Sequence, residues 1–297
     1  MTLSQLDTLT QINLDDLVSS FGAKKDQWLA RLLKNFFYTY ARMFASDMTD
    51  FDIAVGQDGL AKGARLVLGR YFKDIRVHGL DLIPASGFLA LSNHPGLSDT
   101  LSAFAALNRA DLKIIALQRP FLEALTNISK QLFYVTDDPA SRMTLVRQVS
   151  AHLRNGGAVL TYPAGHIEPD PDAHSPGDAI DSLNAWTDSV GVFLRMAPET
   201  PILPILVRGV ISKKALNHPL TKLRRTQFER EQLAAAFQVF LHIRKKIKDL
   251  QVRVQIGKPI YAKELGSNET HVIHQAVLEE MKRLIENPPR DAGESAL

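Results

Sequence analysis

Residues 87–107 read GFLALSNHPGLSDTLSAFAAL, a short apolar strand, a tight turn and a helix set end to end. Phe88–Leu91 is an apolar run of strand length, suited to a sheet covered on both faces. Pro95-Gly96 breaks the chain, since neither residue fits the interior of a helix or strand. Ser98 is the predicted N-cap of the next helix, which puts Asp99 in the first turn, where a carboxylate suits the helix dipole. His94 and Asp99 thus stand at the carboxyl end of a predicted strand. Open α/β sheets bind ligands at that edge.

On a continuous helix, residues five apart point roughly 140° away from each other and do not meet. With Pro95-Gly96 turning the chain, the Asp99 carboxylate can return towards the His94 imidazole. An Asp that accepts the Nδ1 proton fixes the tautomer and leaves Nε2 as a base. The bland reading makes His94 a turn residue and Asp99 a helix starter. Nine histidines give such a pair several chances to arise by coincidence.

Working outward, strand and helix signals alternate. Strands are predicted at 74–78, 88–91, 113–117, 132–135, 158–162 and 202–208, with helices at 99–107, 122–129, 141–155 and 179–196. Gly156-Gly157 is the expected C-cap of the third of these helices. The alternation predicts an α/β domain over 66–287, with a largely parallel central sheet flanked by helices. Residues 1–65 read as an N-terminal helical appendage, and the tail 288–297 reads as disordered. Glu168–Asp178, EPDPDAHSPGD, reads as a loop whose carboxylates form a solvated face.

From Gln27 to Phe44 the residues Trp28, Leu29, Leu32, Leu33, Phe36, Phe37, Tyr40 and Phe44 recur at helical spacing, accompanied by Lys24, Lys25, Arg31, Lys34 and Arg42. The stripe suits a helix packed on the main domain. It also suits one lying on an anionic membrane surface, and both hold if the stripe divides its length. Leu223–Leu250 reads as a second long helix, ending in the basic cluster Arg244, Lys245, Lys246 and Lys248. That cluster is either a solvated helix end or a surface for lipid headgroups or phosphates.

The chain of 297 residues is long enough for one large domain with a smaller appendage. A net charge of +3 gives no nucleic-acid footprint. Cysteine is absent, which excludes disulfides, thiol catalysis and thiolate metal sites. The acidic start, MTLSQLDTLTQINLDDL, lacks the pattern of a signal peptide, and no apolar run reaches membrane-spanning length. The expected location is cytoplasmic, free or peripheral on the inner face of the membrane.

A second cluster, Val159–Glu168, reads VLTYPAGHIE. Here too an apolar strand runs into a Pro-Gly turn with polar groups, His166 and Glu168. A third strand, within PILPILVRG, ends in Arg208. Polar groups converging on one sheet edge are the default sign of a site. Taken singly, each is an ordinary strand end.

With those residues in place, the sequence resembles the glycerolipid acyltransferases, which include glycerol-3-phosphate and lysophosphatidic acid acyltransferases. VHGLDLIPASGFLALSNHPGLSD looks like the family's His-x4-Asp block and TYPAG like its Phe-Pro-Glu-Gly turn. The helix SVGVFLRMA with PILPILV, and then VRVQIGKPI, follow in the same order, over roughly residues 70–262. The resemblance implies direct transfer of a fatty acyl group from acyl-CoA or acyl-carrier protein, as substrate and not cofactor, to a hydroxyl of a glycerol phosphate or lysophospholipid. It implies His94 as general base oriented by Asp99, with no covalent intermediate and with oxyanion donors near Gly165. Pro163, Gly165, His166 and Glu168 would lie on the substrate side, and Arg119, Arg142 and Arg208 are candidates for an acceptor phosphate.

The sequence departs from that pattern at the third block, where Ala164 and Ile167 stand in place of Glu and Arg. The second block reads YVTDDPASR, without the family's Asp-Arg pair. These changes leave the base intact and put glycerol 3-phosphate itself in doubt as acceptor. Two alternatives stand beside the transferase. One is a divalent-metal-dependent hydrolase using His94, Asp99, His166 and Glu168, although no compact ligand motif occurs. The other is an inactive relative that binds lipid or acyl-CoA.

Overall fold

The structure is a computed structural model that describes residues 4–23, 28–136, 138–188, 190–245, 250–266 and 269–297. Its strands are β1 (Asp74–His78), β2 (Phe88–Ser92), β3 (Lys113–Leu117), β4 (Leu132–Val135), β5 (Ala158–Thr161), β6 (Ile202–Arg208), β7 (Gln251–Ile256) and β8 (Glu294–Ser295). They form one sheet in the order β4-β3-β5-β2-β6-β7-β1-β8. The first five strands in that order run parallel. β7 is antiparallel to β6, β1 is parallel to β7, and β8 is antiparallel to β1. The expected largely parallel sheet flanked by helices is the one observed.

All five residues of β2 are buried, because helices cover both sides of the sheet. The pleat sends successive side chains to opposite faces. Phe88 and Ala90, with Ala158, Leu160, Leu203 and Ile205, join one core together with Val67, Leu68 and Phe104. Leu89 and Leu91, with Val159, Ile202 and Leu206, join the other, against Val149, Phe193, Val277 and Met281. β2 is therefore fixed on both faces and both edges, and the turn leaving it starts from rigid ground.

The stripe on the first long helix divides, as one of its readings allowed. The helix extends to Asp58, beyond the expected Phe44. Phe37, Ala41, Ala45 and Met48 are buried. Ala45, Met48, Phe51 and Val55 share the core that holds Phe88. Trp28, Leu32 and Phe36, one turn apart, remain 72%, 55% and 61% exposed. Lys34 and Arg42 pair with Asp15 and Asp7 of the helix Gln5–Ser20. Lys24, Lys25 and Gln27 lie outside the described residues, as do Asp137, Ser189, Lys246 and Lys248.

Four expectations need correction. The helix after β2 starts at Leu97 with Gly96 as N-cap, so Asp99, not Ser98, does the capping. The helix expected over 179–196 is broken into Pro176–Ser182, a 3-10 turn at Leu183–Ala185, and Val190–Met196, because Trp186 is extended. The helix expected over 122–129 splits at Leu125, where Asp52 accepts from the N–H groups of Asn127 and Ile128 and starts a new turn. The tail expected to be disordered is ordered through β8, and Arg65 Nε donates to the Ala296 carbonyl at 2.8 Å.

Candidate active site

At the end of β2, Asn93 is buried and its side chain behaves as one more strand residue. Its Nδ2 donates to the Val207 carbonyl and its Oδ1 accepts from the Val207 N–H, both at 2.8 Å. These bonds satisfy the backbone of β6 where β2 leaves it, and they fix the direction in which His94 departs.

His94 Nδ1 lies 2.7 Å from Asp99 Oδ2. Asp99 has no exposed surface. It also accepts from the Gly96 N–H at 3.2 Å, from the Thr100 N–H, and from Thr100 Oγ1 at 3.1 Å. One carboxylate thus caps the helix and holds the imidazole. The same side chain therefore serves the start of the helix and the placement of the ring. A carboxylate only accepts, so Nδ1 is the protonated nitrogen and Nε2 keeps its lone pair.

The His94 side chain is 29% exposed, enough to meet a ligand. Its ring lies 4.7 Å from that of Tyr162, whose hydroxyl donates to Thr100 Oγ1 at 2.8 Å. Burial raises the Tyr162 pKa well above its ordinary value, so the phenol stays neutral. Burial disfavours the imidazolium of His94, but the charge and hydrogen bond of Asp99, with the charge of Glu168, outweigh it and raise the His94 pKa.

Glu168 is buried beside them. Its N–H donates to the His94 carbonyl at 2.8 Å, and its Oε2 accepts from the His94 N–H at 3.0 Å. Its Oε1 accepts from Trp186 Nε1 at 2.7 Å and from Ser182 Oγ at 3.3 Å. Burial pushes its pKa up to about 7, against the pull of those donors.

The acidic loop is therefore a solvated face only in part, with Asp178 exposed and its first two acids buried. Glu168 and Asp170 are each 1% exposed. Asp170 Oδ1 accepts from the N–H groups of Asp172 and Gly209, and Oδ2 from those of Val210 and Ile211. It ties the turn after β5 to the turn after β6. Asp172 pairs with Arg253 on β7 at 2.6 Å. Burying a carboxylate costs free energy unless donors compensate, and here backbone N–H groups do so.

Arg208 departs from expectation most. It is 3% exposed, on the face of β6 away from the helix Leu97–Leu107. Its Nη2 donates to the carbonyls of Leu284 and Ile285 near the end of the helix Thr270–Glu286. A cation suits that negative helix end, and the side chain is not presented to a ligand. The amide N–H of Gly165, with φ at +69°, is likewise taken up by the Tyr162 carbonyl at 3.0 Å. Pro163 is buried, and His166 is exposed with Nδ1 2.7 Å from the Ala164 carbonyl.

Arg119 is exposed as N-cap of the helix Pro120–Ala124, just beyond β3. Arg142 lies beyond β4, with Nε donating to the Thr136 carbonyl. Both occupy the sheet edge that carries His94, about two and three strand spacings of ~5 Å along it.

The ion site composed of His94, Asp99, His166 and Glu168 does not assemble. The oxygens of both carboxylates are engaged by donors, and His166 turns back to its own loop. No cluster of three His, Asp or Glu able to hold a metal ion occurs among the described residues. Asn93, Asp170 and Trp186 were missed from sequence. The first two sit in turns whose composition looks ordinary, and Trp186 lies 18 residues from its partner Glu168.

The fold and site together are those of an α/β protein with a His–Asp dyad at the carboxyl edge of its parallel strands. The 1-acyl-sn-glycerophosphate (LPA) acyltransferase PlsC from Thermotoga maritima is a solved structure with a similar chain path: TM-score 0.44, 17% identity, 82% of this chain and 97% of that one. No protein-family model matches the sequence, and no curated protein matches it either.

Proposed function

We propose that this protein is an acyltransferase that moves a fatty acyl group directly from a thioester donor, acyl-CoA or acyl-carrier protein, to an acceptor hydroxyl. The observation that carries this reading is the partly exposed imidazole whose tautomer a fully buried carboxylate fixes. His94 Nε2 removes the hydroxyl proton as the oxygen attacks the thioester carbonyl. Asp99 stabilises the imidazolium, the C–S bond breaks, and the proton passes from His94 to the departing thiolate. The chain supplies no cysteine for a thioester intermediate, which suits a single-displacement route. Arg119 and Arg142 are the groups proposed to meet a phosphate of acceptor or donor, as glycerol phosphates and lysophospholipids would require.

The exposed row Trp28, Leu32 and Phe36, with exposed Arg31 beside it, is proposed to rest on an anionic membrane surface where such substrates reside. No helix among the described residues is long and apolar enough to cross a membrane.

The test is acceptor-dependent release of thiol from acyl-CoA and acyl-carrier protein, across glycerol 3-phosphate, lysophosphatidic acid, other lysolipids and simple amines. His94→Ala is expected to lower the rate on the order of a thousandfold or more. No release with any acceptor from either donor, or equal release by the variant, would overturn the reading.

A further inference from the structure

The Asp99 contact fixes the imidazole ring but leaves its main chain to be held by something else, and the turn SNHPG has no helix or strand bonds of its own at His94. The only backbone hydrogen bonds of His94 seen among the described residues run to Glu168, one through its main-chain N–H and one through its carboxylate. Glu168 in turn hangs from Trp186 and Ser182, in the broken helix that follows the acidic loop.

The geometry points to Glu168 as a positioning residue for His94: its carboxyl group accepts the His94 N–H on one oxygen and the Trp186 indole N–H on the other. Through that bridge, the segment 182–186 sets where the base stands. The role requires an acceptor at both oxygens. A glutamine of the same shape must turn an NH2 group towards either the His94 N–H or the Trp186 N–H, and two donors cannot bond. Glu168 is thus distinct from a substrate ligand, because both its oxygens are occupied before any substrate arrives and it is 1% exposed.

The titratable groups around this carboxylate are few. His94 faces it from the turn after β2, with Asp99 behind the imidazole on the helix Leu97–Leu107. Tyr162 lies against His94 from the end of β5, its ring tilted to the imidazole, and stays neutral. The donors from 182–186 are uncharged. The charge of Glu168 therefore acts mainly on the imidazolium, and removing it lowers the His94 pKa.

This inference rests on His94 as the base of the proposed transferase, and its test has one arm that needs no turnover. In protein with isotope-labelled histidine, the His94 ring resonances are titrated by NMR in the native chain and in Glu168→Gln. The variant is expected to show a lower His94 pKa and a displaced ring signal while the rest of the spectrum stays folded. In the kinetic arm, kcat falls on the order of tenfold to a hundredfold, with acceptor KM changed less than about threefold. The acidic limb of the pH–rate profile moves to lower pH with the imidazole.

An unchanged His94 titration overturns the proposal. So does a raised KM at constant kcat, which would make Glu168 a substrate contact. Trp186→Phe keeps the charge and removes one support, and it serves if Glu168→Gln does not fold. It is expected to lower kcat in the same way and to displace the His94 signal, and an unmoved signal overturns the bridge. If the native chain turns over no acceptor, the transferase reading fails while the titration still decides the link between Glu168 and His94.

Discussion

Two buried carboxylates hold one histidine at different points: Asp99 takes the ring and Glu168 the main chain. Their settings also carry a cost. Glu168 ordinarily titrates at 4.5, and in the fold at about 7, so between those values the folded state binds the extra proton. Stability then falls as pH rises through that window, by a few kcal/mol once the carboxylate is fully ionised. His94, whose pKa is raised, adds stability below its unfolded value of 6.5 that is lost as pH rises through its folded value. Both contributions have the same sign. Urea midpoints measured from pH 4.5 to 8 are therefore expected to decline with rising pH in the native chain and to decline less in Glu168→Gln. Equal slopes would show that Glu168 is not titrating in that window. At this scale the dyad was legible because its members are five residues apart and one proline-glycine turn joins them. Asn93 and Trp186 were not, since the partners that give them meaning, Val207 and Glu168, are remote in sequence.

At the scale of elements, the strands were read closely and the helices less so. An apolar run that fills a sheet announces its own limits, as at 113–117 and 202–208. Helical periodicity does not announce a break, and Trp186 interrupts the 179–196 segment because its indole is drawn to Glu168. The loop 168–178 departs in part from its expected character for a similar reason. Asp170 is buried because turns after β5 and β6 leave N–H groups without strand partners, and it collects them, while Asp178 at the far end of the loop stays exposed. Asp170→Asn keeps one acceptor oxygen and sets an amide against two N–H donors. We expect it to lower stability on the order of 3 kcal/mol in denaturant unfolding. A change below about 0.5 kcal/mol would mean that the turns are held some other way.

Over the whole molecule, the sheet carries the His94–Asp99 pair on one edge and the long helix Trp28–Asp58 carries an exposed apolar row at its start. The two meet through the buried half of that helix, whose Ala45, Met48, Phe51 and Val55 lie in the same core as β2. If the row rests on a membrane, Trp28→Ser with Phe36→Ser loses the burial of two aromatic side chains. Co-sedimentation with anionic vesicles should then weaken by about tenfold or more. The thermal midpoint should stay within about 2 °C, since both side chains are already exposed. Unchanged vesicle binding would remove this row as the contact.

The α/β class, strands β1 to β6 and the His94–Asp99 pair were legible in the sequence, because those depend on periodicity and on contacts a few residues apart, whereas β8 lies in a tail read as disordered. Tertiary structure alone decided which remaining charges belong to the site. Arg208 and Glu168 both end or follow a strand in the same sequence context. One is turned under the sheet to a helix end, and the other is folded against His94. That choice is made by alternation across the pleat and by hydrogen-bond partners brought from 14 to 77 residues away, which no local pattern encodes.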